Sequence, residues 1–248
     1  FTVSNVVATG HEGLMGIAES IKSPALERDW AQSWEIADQQ AATVINEVLD
    51  SEPLLQPAVA RELGRQLPSD HVLYLSNSMP VRDVDSFLEA RSDSLWVMGN
   101  RGASGIDGVI SSAAGAAATG HRTTLLIGDL AFQHDISGLL AIVNDQLALN
   151  IVVVDDQGGG IFSHLPISQS IHADLFKEFF TTPQRLPIRE ITEALNIDYF
   201  EVTEVTKLAE LLRNPRGLRV IRIPVDPDLD LDQHRRLTKA VADAMSAL

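Results

Sequence analysis

Two short apolar runs constrain the fold of this 248-residue chain more than any other feature. The segments TTLLIGD (residues 123–129) and NIVVVDD (residues 150–156) show no alternation of apolar and polar residues. This pattern indicates strands that are buried on both faces, as in a parallel sheet covered by helices. The spacing between the runs is long enough for one helical crossover, so we predict two central strands of a parallel sheet.

Four further β-rich segments alternate with helix-like segments. Strands are also predicted at residues 72–77, 95–100, 198–202 and 218–224. Helices are predicted between them at residues 80–90, 107–119, 135–145, 187–195 and 206–213. This βαβ alternation predicts an α/β fold, a doubly wound and mainly parallel six-stranded sheet flanked by helices. Functional residues are then expected beyond the carboxyl ends of the strands.

The two ends of the chain differ from this pattern. We interpret residues 1–50 as the tail of a preceding domain plus a connecting helix at residues 25–50, and residues 51–248 as a C-terminal domain. Residues 228–248 are predicted to form a loop followed by an amphipathic helix. Because the chain starts in mid-pattern without a methionine, we expect it to be part of a longer protein.

Charge and composition exclude several classes of partner. The formal net charge is -15, which disfavours nucleic acid and anionic membranes unless basic residues cluster, and no such cluster is present in the sequence. No run approaches the 18 apolar residues of a membrane span. The absence of cysteine excludes disulfides and fits a reducing compartment, so we predict a cytoplasmic protein. An anionic ligand must then be held by a metal, a helix N-terminus or a few arginines.

Two aspartates follow the two central strands. Asp129 and Asp156 should meet at one edge of the sheet, where hard oxygen ligands together with the Gly158 carbonyl suit Mg²⁺ or Ca²⁺. Glycines at residues 158–160 would let backbone N–H groups approach phosphate oxygens. The alternative is that these residues only form turns. Strand alternation sends Asp155 to the opposite side from Asp156, so we predict that Asp155 is structural.

The stretch SNSMPVRDVD suggests a second anion site. Ser78 is a predicted N-cap, Pro80 lies in the first turn of the helix, and Arg82 lies one turn further on. Helix N–H groups, a hydroxyl and a guanidinium would converge there on a carboxylate. The alternative is an ordinary capped helix with a solvated arginine.

The stretch GDLAFQHDISGLLAIVNDQLALNIVVVDDQGGG resembles the cofactor-binding signature of the thiamine-diphosphate-dependent enzymes. That signature opens with Gly-Asp-Gly and closes with two asparagines. This chain has Leu130 at the third position and Asp155 and Asp156 at the end. The resemblance implies the thiamine-diphosphate-binding fold, with thiamine diphosphate and Mg²⁺ as cofactors and Mn²⁺ or Ca²⁺ as alternative ions.

Three more motifs are similar to those of one branch, the 2-succinyl-5-enolpyruvyl-6-hydroxy-3-cyclohexene-1-carboxylate synthases. They are SNSMPVRDVDSF, GNRGASGIDGVISSAAG and GGGIFSHLP, and the resemblance covers roughly residues 50 to 225. It implies a transferase of menaquinone biosynthesis that decarboxylates 2-oxoglutarate and adds the succinyl semialdehyde unit to isochorismate.

The resemblance also implies roles for individual residues. Ile106 would support the bent cofactor, while Ile161 and Phe162 would cover its reactive ring together with Leu165, excluding water. Ser78, Arg82, Arg101 and Leu165 would contact substrate. Asp129, Asp156 and the Gly158 carbonyl would hold the metal. The cofactor-binding set would be Gly105, Ile106, Gly128, Asp129, Leu130, Ala131, Gly158, Gly159, Gly160, Ile161 and Phe162.

In this class of enzyme a separate N-terminal pyrimidine-binding domain supplies a glutamate across a homodimer or homotetramer interface. No segment of this chain resembles that domain, so we expect the chain alone to be inactive. Two alternatives stay open: a relative of acetohydroxyacid synthase, or a noncatalytic module that binds a metal and a diphosphate. A dinucleotide-dependent dehydrogenase is disfavoured because no G-x-G-x-x-G follows the first strand. The histidines His134, His164 and His172 receive no predicted role.

Overall fold

A computed structural model describes residues 10–20 and 28–247 of the chain. Its centre is a six-stranded sheet in the order β2-β1-β3-β4-β6-β5, and every pair of neighbouring strands is parallel. The predicted doubly wound α/β fold is confirmed. The strands are β1 (His71–Leu75), β2 (Leu95–Gly99), β3 (Thr123–Gly128), β4 (Leu149–Asp155), β5 (Asp198–Glu201) and β6 (Leu218–Pro224).

The central strands are buried on both faces, as their continuous apolar character predicts. In β3, Leu126 packs into the core on one face of the sheet, and Leu125 and Ile127 pack into the core on the other. The same alternation places Val152 and Ile151 of β4 on opposite faces. Alternate side chains of a strand point to opposite faces, so an unbroken apolar run supplies both cores.

Helices cover both faces. On one face the core contains residues of α2, α3, α4, α11 and α12, and on the other it contains residues of α5, α6, α7 and α10. The helices are α1 (His11–Ser20), α2 (Arg28–Asp50), α3 (Gln56–Gln66), α4 (Met79–Phe87), α5 (Val109–Ala118), α6 (Asp129–His134), α7 (Gly138–Asn144), α8 (Ile167–Ser170), α9 (Ala173–Phe176), α10 (Ile188–Ala194), α11 (Val205–Arg213) and α12 (Pro227–Met245). A 3₁₀ helix at Gly160–His164 and a π-helical turn at Lys177–Thr181 complete the set.

The structure differs from the predicted elements in several places. Helices α1, α3, α6, α8 and α9 were not predicted. The predicted connecting helix is described from Arg28 onwards, and its residues 25–27 lie outside the described residues. The predicted loop after residue 228 is wrong, because α12 already begins at Pro227. The Asp226 side chain accepts hydrogen bonds from the backbone N–H groups of Asp228 and Leu229, which caps the helix, and proline suits its first turn.

The strand order places a crevice beside β1. The chain passes from β1 to β2 on one side and continues from β3 to β4 on the other, so the segments that follow β1 and β3 diverge at the carboxyl edge of the sheet. Ligands of open α/β sheets bind at such a switch point. Within the described residues, no helix combines the length and the apolar character needed to cross a membrane.

Candidate functional site

A cavity of about 590 Å³ opens at this switch point. Every predicted site residue except Gly105 lines this cavity. The Gly105 carbonyl accepts a hydrogen bond from the side chain of Asn77. The predicted residues that line the cavity are Ser78, Arg82, Arg101, Ile106, Gly128, Asp129, Leu130, Ala131, Asp156, Gly158, Gly159, Gly160, Ile161, Phe162 and Leu165.

The acid pair occupies the floor of the cavity. Asp129 is the first residue of α6, directly after β3, and Asp156 follows the last residue of β4. Burial raises the pKa of Asp129 to about 8, and the negative charges of Asp156 and Asp155 add to this increase. Burial also raises the pKa of Asp156 to about 7, with a further contribution from Asp230. Asp129 is buried and Asp156 is half-buried, and the two carboxylates are close enough for the charge of Asp156 to raise the pKa of Asp129.

The surroundings of the acid pair fit a hard divalent cation. In the part of the chain that the structure describes, no Lys, Arg or His forms an ion pair with Asp129 or Asp156. Buried charges are normally paired or bound to a metal. The donors are carboxylate oxygens beside a glycine-rich backbone, which suits Mg²⁺ or Ca²⁺ better than a soft metal. The residues present therefore fit the ion expected from the sequence.

The neighbouring Asp155 has a different environment. Its Oδ2 accepts a hydrogen bond from Nε of Arg222 at 2.6 Å, and its Oδ1 accepts one from the backbone N–H of Gln157 at 3.2 Å. Asp155 is buried, as the last residue of β4. These bonds agree with the prediction that Asp155 is structural.

The three glycines pack closely rather than presenting a row of free N–H groups. A Cβ at Gly158 would overlap the Thr181 carbonyl, and one at Gly160 would overlap the carboxylate of Asp156. The Gly159 N–H donates to the Thr181 carbonyl at 2.7 Å, so it is not free to bind phosphate, contrary to the sequence-based expectation. The small size of these residues brings the backbone against the π-helical turn and the acid pair.

Ser78 and Arg82 lie together on the cavity wall, although Ser78 does not cap α4 as predicted. Ser78 occupies the N-cap position with φ 73° and makes no side-chain capping bond. A positive φ is rare for a residue with a Cβ and is often found at functional sites. Nη1 of Arg82 donates to the Ser78 carbonyl at 2.7 Å, while the side chain of Arg82 is exposed at the cavity.

Asn77 holds the loop of residues 100–105 in place, a role that the sequence did not predict. Its Nδ2 donates to the carbonyls of Gly105 and Asn100, and its Oδ1 accepts a hydrogen bond from Arg101. The loop that carries Arg101 and Ile106 is therefore fastened to the end of β1. The only sequence signal for this role is the position of Asn77 directly before Ser78 in the SNSMPVR motif.

Apolar side chains form another part of the cavity wall. Ile161 and Phe162 lie on the 3₁₀ helix, and the Phe162 ring contacts the Phe180 ring edge-on at 5.7 Å between centroids. Leu165 follows the 3₁₀ helix with 46% of its surface exposed. Ile106 is half-buried and packs against the core on its other side. These side chains leave an apolar surface open to the cavity.

Gln56 and His164 also line the cavity, and neither was predicted to have a role. Gln56 begins α3, and His164 ends the 3₁₀ helix with its ring 4.9 Å from that of His234. Burial lowers the pKa of His164, and the positive charge of His234 lowers it further. The other two candidate histidines, His134 and His172, are exposed and do not line the cavity.

The fold and this site define a class of enzyme. The profile of the family described as "Thiamine pyrophosphate enzyme, C-terminal TPP binding domain" matches residues 79–219. The match covers more than half of the chain, so this chain belongs to the thiamine pyrophosphate enzymes and contains their C-terminal cofactor-binding domain.

Relatives within this class share one name, 2-succinyl-5-enolpyruvyl-6-hydroxy-3-cyclohexene-1-carboxylate synthase. The synthase of Desulfitobacterium hafniense is 36% identical over 224 residues, which are 89% of this chain and 40% of the relative. That of Chloroflexus aurantiacus is 35% identical over 242 residues, which are 95% of this chain and 41% of the relative. The chain thus matches the C-terminal part of these synthases, as its motifs predicted, and spans about two fifths of the length of the curated relatives it matches.

Proposed function

We propose that this chain is the diphosphate- and metal-binding part of a synthase that decarboxylates 2-oxoglutarate and adds the succinyl semialdehyde unit to isochorismate, a transferase step of menaquinone biosynthesis. One observation carries the proposal. A single cavity combines an acid pair that has no ion-pair partner among the described residues, two arginines and an apolar wall. These are the three environments that a metal-bound diphosphate, a dicarboxylate substrate and a reactive ring require.

We assign the metal to Asp129, Asp156 and the Gly158 carbonyl, with Mg²⁺ as the ion and Mn²⁺ or Ca²⁺ as alternatives. The lining residues Gly128, Leu130 and Ala131 would contact the cofactor beside the metal. Thiamine diphosphate, when bound, supplies the electron sink that decarboxylation of a 2-oxo acid needs. The contribution of the protein is to bind, orient and exclude water.

We assign the substrate carboxylates to Ser78, Arg82 and Arg101. Both proposed substrates are dicarboxylates, and arginine binds a carboxylate through two parallel hydrogen bonds. The chain carries a net charge of -15, which repels such dianions, so local arginines must provide the attraction. The Asn77 bond to Arg101 orders that side chain before substrate arrives, which reduces the entropy lost on binding.

The apolar wall would protect the reacting centre. Ile161, Phe162 and Leu165 would cover one side of the cofactor ring, and Ile106 would support it from the other. Exclusion of water strengthens the electrostatic interactions inside the site and prevents premature protonation.

We place the rest of the catalytic machinery outside this chain. An N-terminal pyrimidine-binding domain of the same enzyme would complete the site across a homodimer or homotetramer interface in the cytoplasm. Residues 1–50 would then be the tail of a middle domain plus a connecting helix, and residues 51–248 would be the C-terminal domain. On this proposal the chain by itself does not turn over 2-oxoglutarate, and a measurable rate from it would contradict the proposal.

The test uses the full-length enzyme and follows consumption of 2-oxoglutarate with and without isochorismate. Arg82→Met and Arg101→Met should each raise the KM for a substrate carboxylate by at least about tenfold, the equivalent of one charge-assisted hydrogen bond. Arg213→Met is the matched control, since Arg213 is exposed on α11 and bonds only to Gln66 among the described residues. Turnover of pyruvate in place of 2-oxoglutarate would favour a relative of acetohydroxyacid synthase. Absence of Mg²⁺-dependent thiamine diphosphate binding would favour a noncatalytic module.

A further inference from the structure

A histidine of the last helix contacts two buried carboxylates that the proposed chemistry does not use. On α12, Nε2 of His234 lies 2.8 Å from Oδ1 of Asp83. Its Nδ1 lies 2.8 Å from the backbone carbonyl oxygen of Asp230 and 3.3 Å from Oδ2 of the same residue. The side chains of Asp83 and Asp230 are only 3% and 4% exposed. Each ring nitrogen therefore faces an oxygen that accepts hydrogen bonds.

This geometry favours a charged ring, because ionised carboxylates at both ring nitrogens accept hydrogen bonds. An imidazole with donors at both nitrogens is an imidazolium. Burial lowers the pKa of His234, but the hydrogen bonds and charges of Asp230 and Asp83 outweigh burial and raise that pKa to about 10. Among the described residues, His164, Asp230 and His234 are close enough together to hold a metal ion. An imidazolium has no lone pair to give to a metal, so the observed bonds favour a proton at this position.

The imidazolium joins helices that form different walls of the cavity. Asp83 lies on α4 directly after Arg82, one of the lining arginines. Oδ1 of Asp230 accepts a hydrogen bond from the backbone N–H of Gln56, at the start of α3, at 3.0 Å, and Gln56 also lines the cavity. His234 thus connects α12 to α4 directly and to α3 through Asp230.

Among the described residues, His234 is the only side chain that forms a hydrogen bond or ion pair with Asp83. The second oxygen of Asp83, Oδ2, is buried and has no hydrogen-bond partner in that part of the chain. A buried carboxylate that loses its hydrogen-bonded cation must be hydrated or protonated, and either change is expected to move its helix. The rotation of α4 determines which side chains of that helix reach the cavity, Arg82 among them.

We propose that His234 is a positioning residue for substrate, an imidazolium that fixes α4 and the N-terminus of α3 so that Arg82 and Gln56 face the bound carboxylate. It does not touch the acid pair assigned to the metal. The kinetic part of this inference rests on the proposed function, while the structural part does not.

The kinetic experiment compares His234→Gln with His121→Gln in the full-length enzyme. Glutamine keeps a hydrogen-bond donor but not the charge, so we expect the KM for the substrate held by Arg82 to rise roughly tenfold. We expect kcat to change less than threefold and the affinity for Mg²⁺ and thiamine diphosphate to change less than twofold. His121 is exposed at the opposite, amino edge of the sheet, and its variant should match the wild type. An unchanged KM in a folded His234→Gln enzyme would overturn the inference, as would an equal loss in kcat and cofactor affinity.

Two measurements do not need a substrate. The ¹⁵N shifts of the His234 ring should report an imidazolium at pH 8. Amide hydrogen exchange in α4 should speed up at least about tenfold in His234→Gln, while exchange in α11 stays unchanged. A neutral His234 ring at pH 8, or unchanged exchange in α4, would refute the inference even if the enzyme proves to act on other substrates.

A third variant covers the case in which His234→Gln does not fold. Asp83→Asn keeps an oxygen acceptor for the ring but removes one of the two carboxylates that hold its proton. The pKa of His234 should fall, and the KM for substrate should rise at least about threefold. A KM equal to that of the wild type, with the ring partly deprotonated at pH 8, would show that the charge does not position α4.

Discussion

Two groups of buried carboxylates near the cavity are neutralised in different ways. Asp83 and Asp230 both contact the ring of His234, and their hydrogen bonds and charges raise the pKa of that ring to about 10. Asp129 and Asp156 have no such partner among the residues that the structure describes, and burial raises the pKa of each well above its usual range. The first group holds helices together, and the second opens onto the cavity.

The presence or absence of a cationic partner distinguishes acids that hold the fold together from acids that are candidates to bind a metal ion. A chain can bury a carboxylate stably when it also buries a cation beside it, as Arg222 does for Asp155. A buried acid pair without a cation costs stability, and that cost is offset when the acids take up protons or when a bound cation supplies the charge. Adjacent residues can fall on opposite sides of this division, as Asp155 and Asp156 do.

The largest expected effect comes from removing one acid of a neutralised pair. Asp155→Asn should lower the free energy of unfolding by about 3 kcal/mol, because Arg222 loses its buried partner and only the more exposed Glu201 remains. Asp156→Asn should not destabilise the metal-free protein. Urea unfolding of both variants measures the contrast, and equal losses would remove the distinction between these neighbours.

A smaller effect of opposite sign is expected at the acid pair. Asp129→Asn should raise the unfolding free energy of the metal-free protein at pH 8 by about 2 kcal/mol, because one of two unpaired buried charges is removed. The same variant should lose the stabilisation that Mg²⁺ and thiamine diphosphate give the wild type. Thermal or urea unfolding with and without the ion tests both parts. A destabilised variant that still responds to Mg²⁺ would place the metal elsewhere.

The sequence reveals one of these groups and hides the other for a physical reason. Asp129 and Asp156 each follow an apolar run that forms a central strand, and parallel strands bring their carboxyl ends to one edge of the sheet. Local patterns therefore located this site. The contact between Asp83 and His234 joins residues 151 positions apart on two helices, and no periodicity encodes which helices meet.

The sequence pattern also did not predict which residues cap the helices. Ser78 is typical of an N-cap by residue type, but it has a positive φ and its side chain forms no hydrogen bond with the helix N–H groups. Asp226 looks like part of an acidic loop, yet its side chain caps α12. Residue type gives a preference, and the packing of the surrounding chain decides between a cap and a turn.

A pH titration of the metal-free protein should separate the two groups further. The folded pKa values of Asp129 and Asp156, about 8 and about 7, lie above the unfolded value of about 3.9. Their protonated forms thus favour folding at low pH, and that stability is lost as the pH rises through the folded values. We expect the acid pair to lower the free energy of unfolding by about 1 kcal/mol between pH 6.5 and 8.5, and we expect Mg²⁺ to restore it.

The strongly shifted histidines also contribute to the pH dependence. Because the pKa of His234 is raised to about 10 in the folded state, above the ordinary value of about 6.5, its stabilisation is also lost as the pH rises above about 6.5. His71, whose pKa burial lowers to about 4, has the opposite effect, and its stabilisation is gained as the pH rises, mainly below about pH 6.5. Asp129→Asn should therefore reduce the slope between pH 6.5 and 8.5 without abolishing it, and an unchanged slope in that variant would assign the pH dependence to other groups.

The smallest expected effect tests whether the cost of breaking an ion pair, measured as a change in the free energy of unfolding, depends on the burial of the pair. Lys207 and Glu210 form an ion pair at 2.7 Å on α11 with side chains 46% and 64% exposed. Lys207→Met should change the free energy of unfolding by about 0.3 kcal/mol, because water screens an exposed pair and hydrates the glutamate that remains. The comparison with Asp155→Asn holds pairing roughly constant and varies burial. If the exposed pair proved as costly to break as the buried one, burial would not set the cost of an unpaired acid. The lack of a cation beside Asp129 and Asp156 within the described ranges would then no longer support a metal site.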